Sequence, residues 1–342
     1  MHTSVSAGAP RHTRLRWAAL AASTALAASA LAVVTAPGAA EAQPSWTDVA
    51  EATIRPGSEL VTEGGGQCTA NFVFTEGDRV LIGSAAHCTG TGAATDVNGC
   101  DAGTLPLGTR VSVEGADHPA TLTYSSWEAM QRRGETDANA CMFNDFALLE
   151  LDARDHDKVN PTVPHWGGPV ALSEGTAVGD RVFSYGNSSL RQGLDLLKPK
   201  TGLSLGQASD GWTHPVYTVT PGIPGDSGSA FLDAQGAAMG VVSTLALAPL
   251  PLSNGVSDLP RALAYAQADG LDAQLALGTE SFSPDQLPLG GLPDLGGGIA
   301  DGGSDAPVEE PAADEPDEGG IDSPVLAEVE VNLFGRSFGF GL

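Results

Sequence analysis

From about Ile54 to Leu252 the apolar residues come in short runs, each closed off by Gly, Asp or Pro. The runs are NFVFT (71–75), RVLIGSA (79–85), RVSVEG (110–115), ATLTYS (120–125), FALLEL (146–151), RVFSYG (181–186), PVYTVT (215–220), SAFL (229–232) and AMGVVSTL (238–245). Short β-prone segments at this spacing predict strands of an all-β sandwich or barrel. PTVPHWGGPV (161–170) interrupts the series near its middle and predicts a linker between two lobes. The period then changes. In SDLPRALAYAQADGLDAQLAL (257–277), Leu259, Leu263, Ala266 and Leu271 can share one helical face, which predicts a helix packed on the β body. After about Phe282 the chain becomes acidic and rich in Gly and Pro. Such a segment buries too little apolar surface to offset its ordering entropy, so it is expected to be a disordered tail. The last stretch, VLAEVEVNLFGRSFGFGL (325–342), alternates like a strand and has no function assigned to it.

The N-terminus changes the compartment. Arg11, Arg14 and Arg16 precede an uncharged, Ala-rich run (17–36), and Ala40-Glu41-Ala42 fits a small-residue cleavage site. This predicts an export signal over 1–42, in preference to a retained anchor, because alanine is only weakly apolar. No later segment is long and apolar enough to span a bilayer, so the mature protein is expected to be secreted, with no stable membrane association. The 44 Gly and 23 Pro favour turns and short strands over long helices. The formal net charge of −26 repels phosphate backbones, which excludes nucleic acid as an expected partner. The four cysteines, Cys68, Cys88, Cys100 and Cys141, are even in number and all lie in the exported part. In an oxidising compartment they predict two disulfides, with three pairings open. The lack of a C-x-x-C pair argues against zinc, and no metal or cofactor is expected.

The candidate chemistry starts at GIPGDSGSAF (222–231), where Ser227 stands between Gly-Asp and Gly. Alone this is a turn, since a serine hydroxyl does little without a neighbouring base. His87 is the best-placed base among the seven histidines: it ends VLIGSAAHC, just after an apolar strand and beside a cysteine. His118, His156, His165 and His214 sit in turn-like or Pro-flanked contexts. A serine–histidine pair also needs an acceptor for the second ring nitrogen. Asp145 opens NDFALLEL at the mouth of an apolar strand, whereas Asp152, Asp155 and Asp157 lie in a charged run typical of solvated surface.

Each signal is weak by itself, but AAHC, NDFALL and PGDSGS occur in that order. That ordered set resembles the chymotrypsin/trypsin-like serine peptidases, particularly their secreted bacterial branch, over about Ile54 to Leu252. The resemblance implies two packed six-stranded antiparallel β-barrels with the site in the cleft between them. The expected layout is a signal peptide (1–42), an N-terminal lobe with His87 and Asp145 (43–165), a C-terminal lobe with Ser227 and the helix (166–280), and the tail (281–342). It also implies that His87 is the general base and acid, Asp145 its orienter and Ser227 the acylated nucleophile. The N–H groups of Gly225 and Ser227 become the oxyanion hole. A Cys68–Cys88 bridge follows from the same resemblance, and with it Cys100–Cys141. The expected partner is a polypeptide substrate, and the protein is expected to be a monomer. An α/β-hydrolase is excluded, because the order His, Asp, Ser is reversed there and Ser229 replaces the second Gly of G-x-S-x-G.

The chain also departs from the family. Pro221 stands where trypsin-type members carry an aspartate, so cleavage after Lys or Arg is not expected. Ser243-Thr244-Leu245 replaces the usual Ser-Trp-Gly, and Leu245 narrows the expected substrate pocket toward small or medium apolar side chains. No I-V-G-G maturation motif occurs; IRPG (54–57) is a poor mimic, and Asp226 needs a cation from elsewhere in the chain. The competing function is a protease-fold binding protein without turnover. A role of the acidic tail in surface retention or cation binding is the less favoured reading of that segment.

Overall fold

A computed structural model of the protein describes residues 44–93, 96–246 and 251–285, and the backbone of 329–333 and 336–340. The expected export signal and most of the acidic tail lie outside the described residues. The segment 44–285 falls in one compact unit.

The expected all-β class holds, and all nine apolar runs carry strands. The first eight strands are β1 (Glu59–Thr62), β2 (Gln67–Thr69), β3 (Val73–Glu76), β4 (Arg79–Ser84), β5 (Arg110–Val113), β6 (Ala120–Ser125), β7 (Ala147–Glu150) and β8 (Val178–Tyr185). Six more follow: β9 (Pro199–Leu205), β10 (Thr213–Val219), β11 (Ala230–Leu232), β12 (Ala238–Ala246), β13 (Ser253–Asp258) and β14 (Gln274–Leu275). β8 to β13 close into an antiparallel six-stranded barrel in the order β10-β13-β12-β11-β8-β9. The other eight form one antiparallel sheet, β14-β3-β4-β7-β6-β5-β1-β2. Its count exceeds the expected six through two short additions, β2 and β14. Only Ala70–Phe72 separate β2, at one end of the sheet order, from β3, near the other. The sheet must therefore curl round on itself.

The two-residue period decides which side chains fill these interiors. In β5, Val111 and Val113 are buried while Arg110 and Ser112 face out, and in β10 Val216 points in while Tyr217 and Val219 are exposed. β4 is buried along almost its whole length, and its apolar run feeds directly into His87. Phe74 and Phe146 meet edge to face at 5.6 Å inside the first sheet, and Trp166 and Phe183 at 4.9 Å beside the second. Full burial of each such ring contributes roughly 2–3 kcal/mol.

Three α-helices complete the body among the described residues. α1 (Ser126–Arg133) and α2 (Ala138–Phe143) were not foreshadowed by the sequence pattern. α3 (Leu259–Ala268) is the expected helix, burying Leu259, Ala262, Leu263 and Ala266, with the Asp258 carboxylate accepting from Arg261 N at 2.8 Å as its cap. It ends well before Leu277, because the chain turns at Gly270 (φ +99°) into β14. The tail border expected at 281 falls inside the packed body. Phe282 lies edge-on to Phe183 at 5.1 Å, Ser283 N donates to Trp166 O at 2.7 Å, and Arg181 Nη2 donates to Pro284 O at 3.1 Å. In the second unit (293–342), the strand-like terminal segment is a two-stranded antiparallel hairpin, Val329–Leu333 with Arg336–Phe340.

Candidate active site

His87 sits in a single short turn, Ala86–Thr89, reached as soon as β4 ends. The Cys68–Cys88 disulfide ties that turn to β2. Asp145 is delivered from the other side by α2, which is stapled through Cys100–Cys141. The Asp137 carboxylate caps that helix by accepting from Ala140 N at 2.7 Å. At the start of α1, Ser126 closes around the acid: its hydroxyl donates to Asn144 O at 2.7 Å, and Phe146 N donates to it at 3.0 Å. Both disulfides therefore anchor segments that carry a candidate catalytic residue. Cys68, Cys88 and His87 lie close together, but the two sulfurs are bonded to each other and offer no thiolate to a metal.

The structure brings His87 and Asp145 into direct contact. Nδ1 of His87 lies 2.6 Å from Asp145 Oδ2, and the His87 backbone N–H donates to Asp145 Oδ1 at 2.9 Å. Ser243 Oγ adds a third bond, donating to Asp145 Oδ2 at 2.6 Å. Ser257 on β13 holds the backbone behind the acid, its hydroxyl accepting from Asp145 N at 3.2 Å and donating to Phe143 O at 2.7 Å. Asp145 is buried while His87 keeps an open edge, its side chain 26% exposed. Burial works against charge on the imidazole, but the Asp145 charge and hydrogen bond outweigh it and hold the His87 pKa above the usual 6.5. Burial likewise works against the carboxylate, yet His87 and the Ser243 and His87 donors hold Asp145 below its usual 3.8.

The turn that carries Ser227 is tied to the first sheet through its backbone. Thr69 N, next to the bridged Cys68, donates to Ser227 O at 2.8 Å, and Asn71 Nδ2 donates to Gly228 O at 3.1 Å. A Cβ on Gly228 would lie 2.6 Å from Thr69 O and 3.2 Å from Ala85 N, two residues before His87. Only glycine allows this approach. Gly225 has φ +94°, a conformation that L side chains avoid, and a Cβ there would strike Gln67 and Ser188. Within the turn, the amides of Asp226, Gly228 and Ser229 donate to Ile223 O, Val242 O and Asp226 O. The amides of Gly225 and Ser227 donate to no described residue, and neither does the Ser227 hydroxyl. Ser229, the departure from G-x-S-x-G, is buried and donates to Asp226 O at 2.7 Å, so it braces the turn.

The cation that the sequence left unassigned is Arg191. Its Nη2 donates to Asp226 Oδ2 at 2.6 Å and to Pro221 O at 2.8 Å, with the carboxylate wholly buried. Lys200 Nζ stands on the same oxygen at 3.2 Å, and Ser188 N and Ile223 N complete the shell at 3.1 Å each. Burial, reinforced by Arg191 and only partly offset by Asp226, pushes the Lys200 pKa down to about 8. Ile54, the nearest candidate for a freed terminus, is buried, with its N–H donating to Lys158 O at 3.0 Å.

Of the expected substrate-binding residues, Pro221 is part of the Asp226 clamp, Ser243 orients Asp145, the Thr244 carbonyl accepts from Asn254 Nδ2 at 3.2 Å, and Leu245 is exposed. Sequence reasoning missed Arg191, Lys200, Asn254 and Ser257. None of them stands in a motif, and they meet the site only once the barrel closes.

Among the described residues no helix is long and apolar enough to cross a membrane. No family model and no curated protein matches the chain. Among solved structures it is similar to Thermobifida fusca Protease A, with a TM-score of 0.43 and 18% identity over 66% of this chain and 100% of that one. It is also similar to a Cellulomonas bogoriensis chymotrypsin, with a TM-score of 0.40 and 17% identity over 65% of this chain and 98% of that one. A third is the Nocardiopsis protease NAPase, with a TM-score of 0.39 and 16% identity over 65% of this chain and 98% of that one. All three are proteases, and the family the motifs resemble is the chymotrypsin-like serine peptidases.

Proposed function

We propose that the protein is a secreted serine endopeptidase that hydrolyses peptide bonds through an acyl-enzyme on Ser227. The observation that carries this reading is the 2.6 Å contact between His87 Nδ1 and Asp145 Oδ2. An ionised carboxylate can only accept, so it fixes the proton on Nδ1 and leaves the Nε2 lone pair as the base. Ser227 Oγ transfers its proton to Nε2 as it attacks the scissile carbonyl. The oxyanion is received by the unused N–H groups of Gly225 and Ser227, and His87 then gives the proton to the departing amine. Water repeats the sequence to release the acid. Hydrogen bonds to the nucleophile are often long in a free enzyme and tighten when substrate fills the site, which fits the unbonded Ser227 hydroxyl. Because Arg191 already supplies the cation for Asp226, no freed N-terminal amine is required, and the enzyme is active without nicking near Ile54.

A fluorophosphonate probe should label the mature protein on Ser227 and leave Ser227→Ala unlabelled. Absence of labelling in the intact protein would favour the binding-protein alternative. The pH profile carries a second expectation. His87 must be neutral to act as base, and its pKa is raised, so kcat/KM should climb with pH through a midpoint above 6.5. A midpoint below 6.5 would contradict the pairing with an ionised Asp145.

A further inference from the structure

We propose that Asn254 sets the primary specificity of this site, closing it to long and charged side chains so that cleavage follows glycine, alanine or serine. This rests on the reading of Ser227 as the nucleophile. Ser227 lies where the loop 221–228 joins β12, with Gly228 N donating to Val242 O at 2.8 Å and Val242 N donating to Ser229 O at 3.0 Å. From that junction two segments lead away: the loop back toward Pro221, and β12 onward through Ser243, Thr244 and Leu245. On its other flank Ser227 adjoins the first sheet, with Thr69 N donating to Ser227 O at 2.8 Å. A side chain next to the attacked carbonyl therefore has the gap between the loop and β12 to enter.

Asn254 occupies that gap. It lies on β13, directly opposite Leu245 and, on its other side, Val216. Its carboxamide crosses from one wall to the other. Oδ1 accepts from Gly222 N at 2.8 Å, and Nδ2 donates to Gly222 O at 3.1 Å and to Thr244 O at 3.2 Å. The residue is 1% exposed. The acceptor and both donor hydrogens of the amide are thus used at once, and displacing it would strand three backbone groups as well.

The walls cannot yield around it. A Cβ on Gly222 would lie 2.9 to 3.1 Å from the amide atoms, so the amide rests flat against that glycine. Arg191 holds Pro221 O from behind at 2.8 Å, and Asp226 Oδ2 holds Ile223 N at 3.1 Å. The gap is therefore spanned by an amide fixed on both sides, with both of its donor hydrogens spent. It offers neither a counter-charge to Lys or Arg nor a free donor to Glu or Asp, and by spanning the gap from Gly222 to Thr244 it bars a long side chain.

The test is a peptide-library cleavage profile of the mature protein and of Asn254→Ala, with fluorophosphonate labelling of both. The wild type should cleave after small uncharged residues. Asn254→Ala should raise kcat/KM for Leu or Phe relative to Ala at that position by about tenfold or more. A merely structural role would lower kcat/KM for every side chain in parallel and leave the ranking unchanged, which would overturn the inference. A wild type that labels but cleaves after Phe, Lys or Glu would overturn it as well, with the protease reading intact. A wild type that does not label defeats that reading instead. Should Asn254→Ala fail to fold, Asn254→Ser, which keeps a polar group toward Gly222, and the wild-type profile decide the matter.

Discussion

Replacing His87 by alanine is expected to lower kcat by about a million-fold, and replacing Asp145 by asparagine by about ten-thousand-fold, with the fold retained in both. The difference in size follows from the geometry. Without His87 nothing described stands ready to take the Ser227 proton, and what remains is binding and the two amides of Gly225 and Ser227. Asp145→Asn keeps the shape of the side chain and its place beneath the imidazole. Its effect comes through the proton. The carboxylate accepts from Nδ1, from the His87 backbone N–H and from Ser243 Oγ. An asparagine turned to donate toward Nδ1 would move the ring proton to Nε2 and remove the base. The two changes act on one unit, so the double variant should be scarcely worse than His87→Ala alone. Steady-state kinetics on a small-residue peptide anilide, alongside thermal unfolding, measure this. An Asp145→Asn enzyme within tenfold of the wild type would refute the assignment of Asp145.

How far the sequence disclosed this site depended on how local each signal was. The nine apolar runs were legible because a strand buried on one or both faces must be apolar or alternating, and ATLTYS became β6 residue for residue. β9 and β13 were not. PKTGLSL and SNGVSD are polar and contain glycine, and several of their buried places are filled by small or polar residues such as Ser204, Ser253, Asn254 and Ser257. α1 and α2 escaped because eight and six residues are too few for a helical period to stand out. α2 leans on the Asp137 cap and the Cys100–Cys141 bridge rather than on an apolar stripe. His87, Asp145 and Ser227 could be picked out because each occupies the end or edge of an apolar run. Their supporting residues could not. Lys200 lies inside a strand and Arg191 in a turn beside the exposed Leu190, where a basic residue ordinarily means a solvated surface.

Those two cations give the second large expectation. Arg191→Met should lower kcat by about a hundredfold or more and destabilise the protein by about 3 kcal/mol. Asp226 lies between the two amides proposed for the oxyanion, and its carboxylate fixes the turn by accepting from Ile223 N and Ser188 N. Remove the guanidinium, and a buried carboxylate keeps only Lys200, at 3.2 Å, as counter-charge, while Pro221 O loses its donor. The loss should appear in kcat rather than KM, because the oxyanion exists only in the transition state. Lys200→Met should be much milder, since it takes one cation from a cluster with two cations and a single carboxylate. It should also alter the pH dependence of stability. Lys200 has a folded pKa of about 8 against the usual 10.5, so between those values the unfolded chain binds more protons and the Lys200 contribution to stability rises with pH. Lys200→Met should remove that rise. Urea unfolding of both variants between pH 7 and about 10, with kcat measured in parallel, tests the arrangement. If Arg191→Met matches the wild type in both, then Arg191 is not what holds the nucleophile turn, and the independence from N-terminal nicking loses its physical basis.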